Sequence, residues 1–188
     1  MKKILLVGFA IILLAMTFSI VQADNMEVGE AEKISIQTGN YIGEQGEDIQ
    51  IQVMAQNEVQ LRVGETTADC DCELVRERVQ NKTRLYAKLS NGEHAEIKVM
   101  PDRASETALQ RLRVNHCTEE DECRIELKEV GVGNELKMVY ELKTQRNARV
   151  FGLFRTRMEV QAQVDVDTGE IVRVRKPWWA FLASEPEE

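Results

Sequence analysis

Val164-Asp165-Val166-Asp167-Thr168-Gly169-Glu170-Ile171-Val172 reads as the end of one strand, a tight turn and the start of the next. Gly169 stands where the turn needs a left-handed residue, a conformation that costs glycine nothing. Upstream, Met158, Val160, Ala162, Val164 and Val166 alternate with Glu159, Gln161, Gln163 and Asp165, the period of two that gives a strand one apolar and one polar face. Two earlier runs keep that period. Ile125 and Leu127 sit among Arg124, Glu126 and Lys128; Leu136, Met138, Tyr140 and Leu142 sit among Lys137, Glu141 and Lys143, and Gly131-Val132-Gly133-Asn134 turns the chain between them. Ahead of these strands, Ala104, Ala108, Leu109 and Leu112 share one face of a helix over 104–114, with Glu106, Gln110, Arg111 and Arg113 opposite. Pro101 ends what precedes the helix and Asp102 is placed to cap it. A helix followed by four strands predicts an α+β unit, an antiparallel β-sheet with one packed helix.

Residues 24–100 read as an all-β N-terminal region of short strands and hairpins. Ile34 and Ile36, then Ile49, Ile51 and Val53, then Val59, Leu61 and Val63 alternate with polar residues. The clearest hairpin runs from Leu85 to Val99 around Asn91-Gly92, a pair suited to a two-residue turn with positive φ angles. The predicted division is therefore residues 1–23, 24–100, 101–176 and a Trp-rich tail over 177–188 with an acidic end.

The 164–172 hairpin, with Ser105-Glu106-Thr107-Ala108 in the helix and Val139-Tyr140-Glu141-Leu142 in the middle strand, resembles the PepSY domain family over about residues 101–176. The resemblance implies a non-catalytic, extracytoplasmic module that binds or inhibits other proteins, peptidases among them. With no peptidase domain in the chain, it implies action in trans, and it carries no catalytic residues over. Two features depart from the family pattern: a long extension of the middle hairpin between Leu142 and Met158, and the Trp-rich tail.

The amino terminus has the three parts of a signal peptide: Met1-Lys2-Lys3, an uncharged apolar run from Ile4 to Val21, and Gln22-Ala23 before Asp24. Cleavage after Ala23 is the leading reading. A retained anchor is the other, since eighteen apolar residues make a helix of ~27 Å against a hydrocarbon core of roughly 30 Å. Either way the body lies outside the cytoplasm, secreted or membrane-anchored, where disulfides persist. A Cys117–Cys123 bridge across the polar loop 118–122 is the favoured pairing; a second bridge between Cys70 and Cys72 requires the backbone to turn sharply, and the sequence leaves the connectivity of these two open. A four-thiolate metal site fits the spacing poorly, and Asp69, Asp71 and Glu73 lack a calcium-loop pattern. Asn81-Lys82-Thr83 is an N-glycosylation acceptor pattern in an exported chain.

Signatures of chemistry are sparse. No serine has a nucleophile-elbow context, no glycine-rich loop cradles phosphate, and His116 beside Cys117 is better explained by an oxidised thiol in a loop. The turn at 165–170 accounts for Asp165 and Asp167. No catalytic residue, metal or cofactor is expected.

Recognition signals concentrate at one end. Of the eight aromatic residues beyond the apolar leader, Phe151, Phe154, Trp178, Trp179 and Phe181 lie within 151–181. Phe151-Gly152-Leu153-Phe154 forms the turn of the extended hairpin, flanked by Arg146, Arg149, Arg155 and Arg157. Apolar residues with an arginine collar suit a protein pocket or a lipid interface. The tail at Trp178 and Trp179 either joins that surface or folds back to cover the sheet. The expected partner is thus an unknown protein, a peptidase or an envelope component, with membrane-surface contact as the alternative. Nucleic acid is disfavoured by 24 Lys and Arg against 32 Asp and Glu, a net charge of -8. The acidity is uneven: residues 24–79 hold 13 acids and four bases, whereas 141–176 hold eight bases and five acids.

Overall fold

The computed structural model describes residues 33–55, 58–117, 122–151 and 153–184. The apolar leader, its cleavage point and the acidic end 185–188 lie outside the described residues. In chain order the strands are β1 (Ile34–Ser35), β2 (Gly39–Ile42), β3 (Asp48–Ala55), β4 (Glu58–Val63), β5 (Thr66–Asp71), β6 (Leu74–Val79), β7 (Lys82–Lys88) and β8 (His94–Ile97). Helix α1 (Pro101–Leu112) follows, then β9 (Arg124–Val130), β10 (Lys137–Val150), β11 (Phe154–Asp165), β12 (Ile171–Arg175), a 3-10 turn at Trp178–Leu182, and β13 (Ala183–Ser184).

The α+β expectation is corrected. Among the described residues 58% lie in strands and 13% in helices, so the protein is mostly β, two sheets and a single α-helix. The larger sheet runs β12-β11-β10-β9-β5-β4-β3-β2, with β13 added beside β10. The smaller runs β1-β6-β7-β8. A parallel contact between β5 and β9, Asp69 opposite Glu126 and Cys70 opposite Leu127, joins the four C-terminal strands to the N-terminal meander. Alternation along a strand announces that it exists and which face is buried, but it carries no information about its neighbour. The helix therefore covers a sheet twice as wide as the one its flanking sequence predicts.

Helix α1 starts at Pro101, where a missing N–H costs nothing, and ends at Arg113, whose φ is 54°. Met100 rather than Asp102 occupies the N-cap, with no side-chain cap, and Asp102 lies in the first turn. Ala104, Ala108 and Leu112 face inward at 1%, 1% and 0% exposure. Small side chains there let the helix lie close to β4, β5, β10, β11 and β12. One apolar cluster takes residues from both sheets, including Ile49, Leu61, Leu85, Ile97, Leu127, Tyr140 and Val160.

Turn chemistry explains the hairpins. In the 165–170 turn the Asp165 carboxylate accepts from the N–H groups of Asp167 and Thr168 at 2.9 and 3.2 Å, and Gly169 holds φ at 74°. The Val166 carbonyl accepts from Lys98 and Val99, which fastens the chain after β8 to this turn. Asn91-Gly92 does not form a two-residue turn: Gly92 N–H bonds to the Leu89 carbonyl and Leu89 N–H to the Glu93 carbonyl, so the loop is wider and only Gly92 needs positive φ. The two-residue turn lies instead at Gln80-Asn81, with φ of 56° and 83°, between β6 and β7.

Cys117 and Cys123 are joined, with Cα atoms 5.2 Å apart, and so are Cys70 and Cys72. Such pairs suit an oxidising, extracytoplasmic environment. Among the described residues no helix is long and apolar enough to cross a membrane. The Cys117–Cys123 bridge closes the α1 to β9 connection. Replacing both cysteines with serine is expected to cost about 2.4 kcal/mol for this seven-residue ring, read from urea unfolding. Rapid alkylation of either thiol in the unreduced protein would contradict the pairing.

Candidate binding surface

Strands β10 and β11 run antiparallel from Val139 opposite Asp165 to Val150 opposite Phe154. Their neighbours stop earlier: β9 accompanies β10 only to Lys143, and β12 accompanies β11 only over 161–164. Residues 144–150 and 154–160 therefore run past β9 and β12 as a two-stranded arm, with Ala148, Met158 and Val160 still packed in the core. A lone hairpin is marginal in water. Here it gains a third strand, as β13 pairs Ala183 with Val150 and Ser184 with Arg149, and the Phe151 N–H bonds to the Leu182 carbonyl at 3.0 Å. The guanidinium of Arg146 donates to the Leu112 carbonyl at 3.0 Å, tying the arm to the end of α1.

This pairing brings the tip and the tail together. Within the 3-10 turn, residues three apart eclipse one another. Trp178 and Phe181 consequently share the outward side, at 81% and 77% exposure, while Trp179, Ala180 and Ala183 pack against the core. One side of the turn thus faces solvent and the other folds back onto the core. At the tip, Phe151, Leu153 and Phe154 are 65%, 78% and 67% exposed. Phe151 adopts φ of 52°, a left-handed conformation that is costly for an aromatic residue. Folding alone would favour glycine or asparagine there.

The arginines follow from register. Arg149 lies opposite Arg155, and Arg157 lies opposite Asn147, so all three occupy one face of the arm. Like charges directly opposite are unfavourable in a strand pair. Arg175 opposite Gln161 and Arg173 opposite Gln163 continue the same face on β12, and all five arginines are exposed. Toward the sheet centre this face changes character. Glu141, 2% exposed, accepts from Lys128, from Lys143 at 3.2 Å and from Gln163 at 2.6 Å. Burial pushes its pKa up, but these three donors outweigh burial and hold the carboxyl down at about 2. Asp165 is paired with Lys137 at 3.2 Å. The central acids are thus neutralised within the fold, and on the arm the exposed arginines of this face outnumber its one exposed acid, Glu159.

Of the residues singled out in the sequence, Phe151, Leu153, Phe154, Arg149, Arg155, Arg157 and Trp178 meet at this end, and Trp179 lies partly inside. Phe181, counted in the sequence with the aromatic cluster, lies here too, whereas Arg173 and Arg175 were not singled out. The Trp178-to-Phe181 spacing of three was visible; the cross-strand register of β12 was not. Asn81 is elsewhere, exposed at the β6–β7 turn, where its side-chain oxygen accepts from Arg78 at 3.3 Å.

Two open clefts, of 930 and 970 Å³, flank the β5–β9 junction. One is lined by Thr66, Thr67, Ser105 and the Cys117–Cys123 bridge, the other by the Cys70–Cys72 bridge, Glu58, Lys88 and Lys128. Cys117 is held in its disulfide, leaving no thiolate beside His116. Asp69 accepts from Gln60 at 2.9 Å, and among the described residues no group of three or more His, Cys, Asp or Glu could hold a metal ion. Burial first, and then the Asp102 carboxylate, push the Tyr140 phenol far above its ordinary range, which removes it as an acid or base near neutrality.

The class that fold and site define is a disulfide-bonded, mostly β protein whose extended β10–β11 arm ends in exposed aromatic and arginine residues. Comparison with protein-family models, with curated proteins and with solved structures finds no match to this chain.

Proposed function

We propose that this is an exported, non-catalytic binding module of the cell envelope that engages its partner through the arm tip and the adjoining tail. One observation carries the reading: five large apolar side chains from two separate segments gather, exposed, at the end of an arm whose strand register also collects arginines. Exposed apolar groups contribute nothing to folding, and a Phe in the left-handed region works against it, so binding is the physical reason to keep them. A peptidase-regulating role rests on the resemblance of Val164–Val172 to the PepSY family and enters as one form of such binding.

The test separates stability from recognition. Phe151→Gly combined with Phe154→Ser is expected to leave the unfolding midpoint in urea unchanged or raised, since the positive φ is relieved and little buried surface is lost. The same variant should lose its association with the envelope fraction of its host cells. Unchanged fractionation, with the fold intact, would sink the proposal.

A further inference from the structure

We infer that the partner of this end is the surface of an anionic lipid bilayer, into which Phe151, Leu153, Phe154, Trp178 and Phe181 insert while the arginines meet the head-group phosphates. This rests on the reading of the arm and tail as the recognition surface and names what that surface recognises. Three observations favour lipid over a protein groove.

The five side chains are 65–81% exposed and stand out from a turn and a 3-10 segment, whereas the two large clefts lie at the β5–β9 junction and do not reach them. The composition is that of an interfacial anchor: Trp favours the head-group boundary, Phe and Leu the acyl side, and Arg the phosphates. Charge complementarity is the third. Arg149, Arg155, Arg157, Arg173 and Arg175 share one exposed face, where the arm carries a single exposed acid, Glu159, and such an excess of positive charge draws an anionic surface. Residues 24–79, with 13 acids against four bases, would be repelled by the same surface.

Trp178 and Trp179 are the only tryptophans in the chain, so intrinsic fluorescence reports on this end and not on the apolar leader. The full chain, as isolated from its host, is mixed with phosphatidylcholine vesicles with and without roughly a third phosphatidylglycerol, the share that makes a strongly anionic surface. The expected result is a blue shift, with quenching by lipids brominated along the acyl chain, in the anionic vesicles. Arg155→Gln with Arg157→Gln should weaken partitioning into them about thirtyfold, near fivefold per arginine. Phe151→Ser with Phe154→Ser should weaken it about tenfold or more. Both pairs are exposed, and near-ultraviolet dichroism confirms that each variant is folded.

Absence of acyl-chain quenching in the wild type overturns the lipid assignment, as does equal partitioning of the arginine variant. A photo-crosslinking residue at Leu153, used in intact cells, separates that failure from failure of the broader reading. A specific protein adduct without vesicle binding keeps the end as a recognition surface and replaces lipid with a protein. No adduct and no vesicle binding removes both.

Discussion

Leu112→Ala is expected to destabilise the protein by about 3–4 kcal/mol, a substantial share of the ~5–15 kcal/mol that holds a typical domain folded. Leu112 is 0% exposed and is the last residue of α1, the helix that covers the wide sheet. Removing three carbons there forfeits their burial and leaves a cavity between α1 and the sheet that cannot collapse, because the helix end is held on both sides. Arg146 binds the Leu112 carbonyl, and the αL residue Arg113 turns its own N–H back to the Gln110 carbonyl at 3.2 Å. Arg111→Ala, one residue away on the exposed face, should change stability by less than about 0.5 kcal/mol. Urea unfolding of both variants checks the pair; a cost below about 1.5 kcal/mol at Leu112 would mean that the helix is not closely docked. Because α1 lies over strands from both halves of the sheet, the loss should appear in one cooperative transition.

The second large effect is a pH dependence centred on Glu141. Its carboxylate lies in the middle strand with Lys128 on β9, Lys143 on its own strand and Gln163 on β11 donating to it. The folded pKa, about 2, lies below the ordinary value of 4.5. A depressed acid contributes stability in full above its unfolded pKa and loses it as pH falls toward the folded one. Linkage therefore puts about 3 kcal/mol of stability in the window from pH 4.5 down to 2. Asp165 is shifted in the same direction: burial opposes the shift, but the backbone N–H of Asp167, the Lys137 ammonium and the Thr168 N–H outweigh it. Glu141→Gln keeps the shape and removes the charge, so its stability should be lower than wild type at pH 7 and converge with it near pH 2. Urea midpoints measured from pH 7 to pH 2 provide the check. A wild-type profile parallel to that of Glu141→Gln through this window would show that the three donors do not hold the carboxylate.

These two residues also show how much was legible in advance. Leu112 belongs to a helical stripe that its 3.6-residue spacing reveals, and its burial follows from that stripe. Glu141 sits at a polar position of a period-two run and reads as a solvated face. Its burial arises because β9 places Lys128 and β11 places Gln163 beside it, next to Lys143 of its own strand, a consequence of register. The arm divides in the same way. The concentration of Phe, Trp and Arg over 146–181 is a property of the sequence. That tip and tail form one surface is not, since it depends on two residue pairs between β10 and β13. Likewise β5 and β6 escaped the reading of residues 64–79, where charged residues and a Cys-Asp-Cys segment interrupt the alternation, and Gln80-Asn81 offered no glycine to mark the turn.

Local chemistry by itself determined that β3, β4 and β9 to β12 become strands, where α1 lies, which apolar residues of these elements turn inward, and that aromatic and basic residues crowd the end of the chain. Each depends on spacing within some ten residues, through backbone geometry and the removal of apolar side chains from water. The tertiary structure alone decided that β5 meets β9, which makes one broad sheet of what had read as two units and the fold mostly β. It alone set the arginines on a common face and divided the tail between core and solvent. Those outcomes rest on pairing between segments distant in sequence, where a shift of one residue would exchange every inward side chain for an outward one.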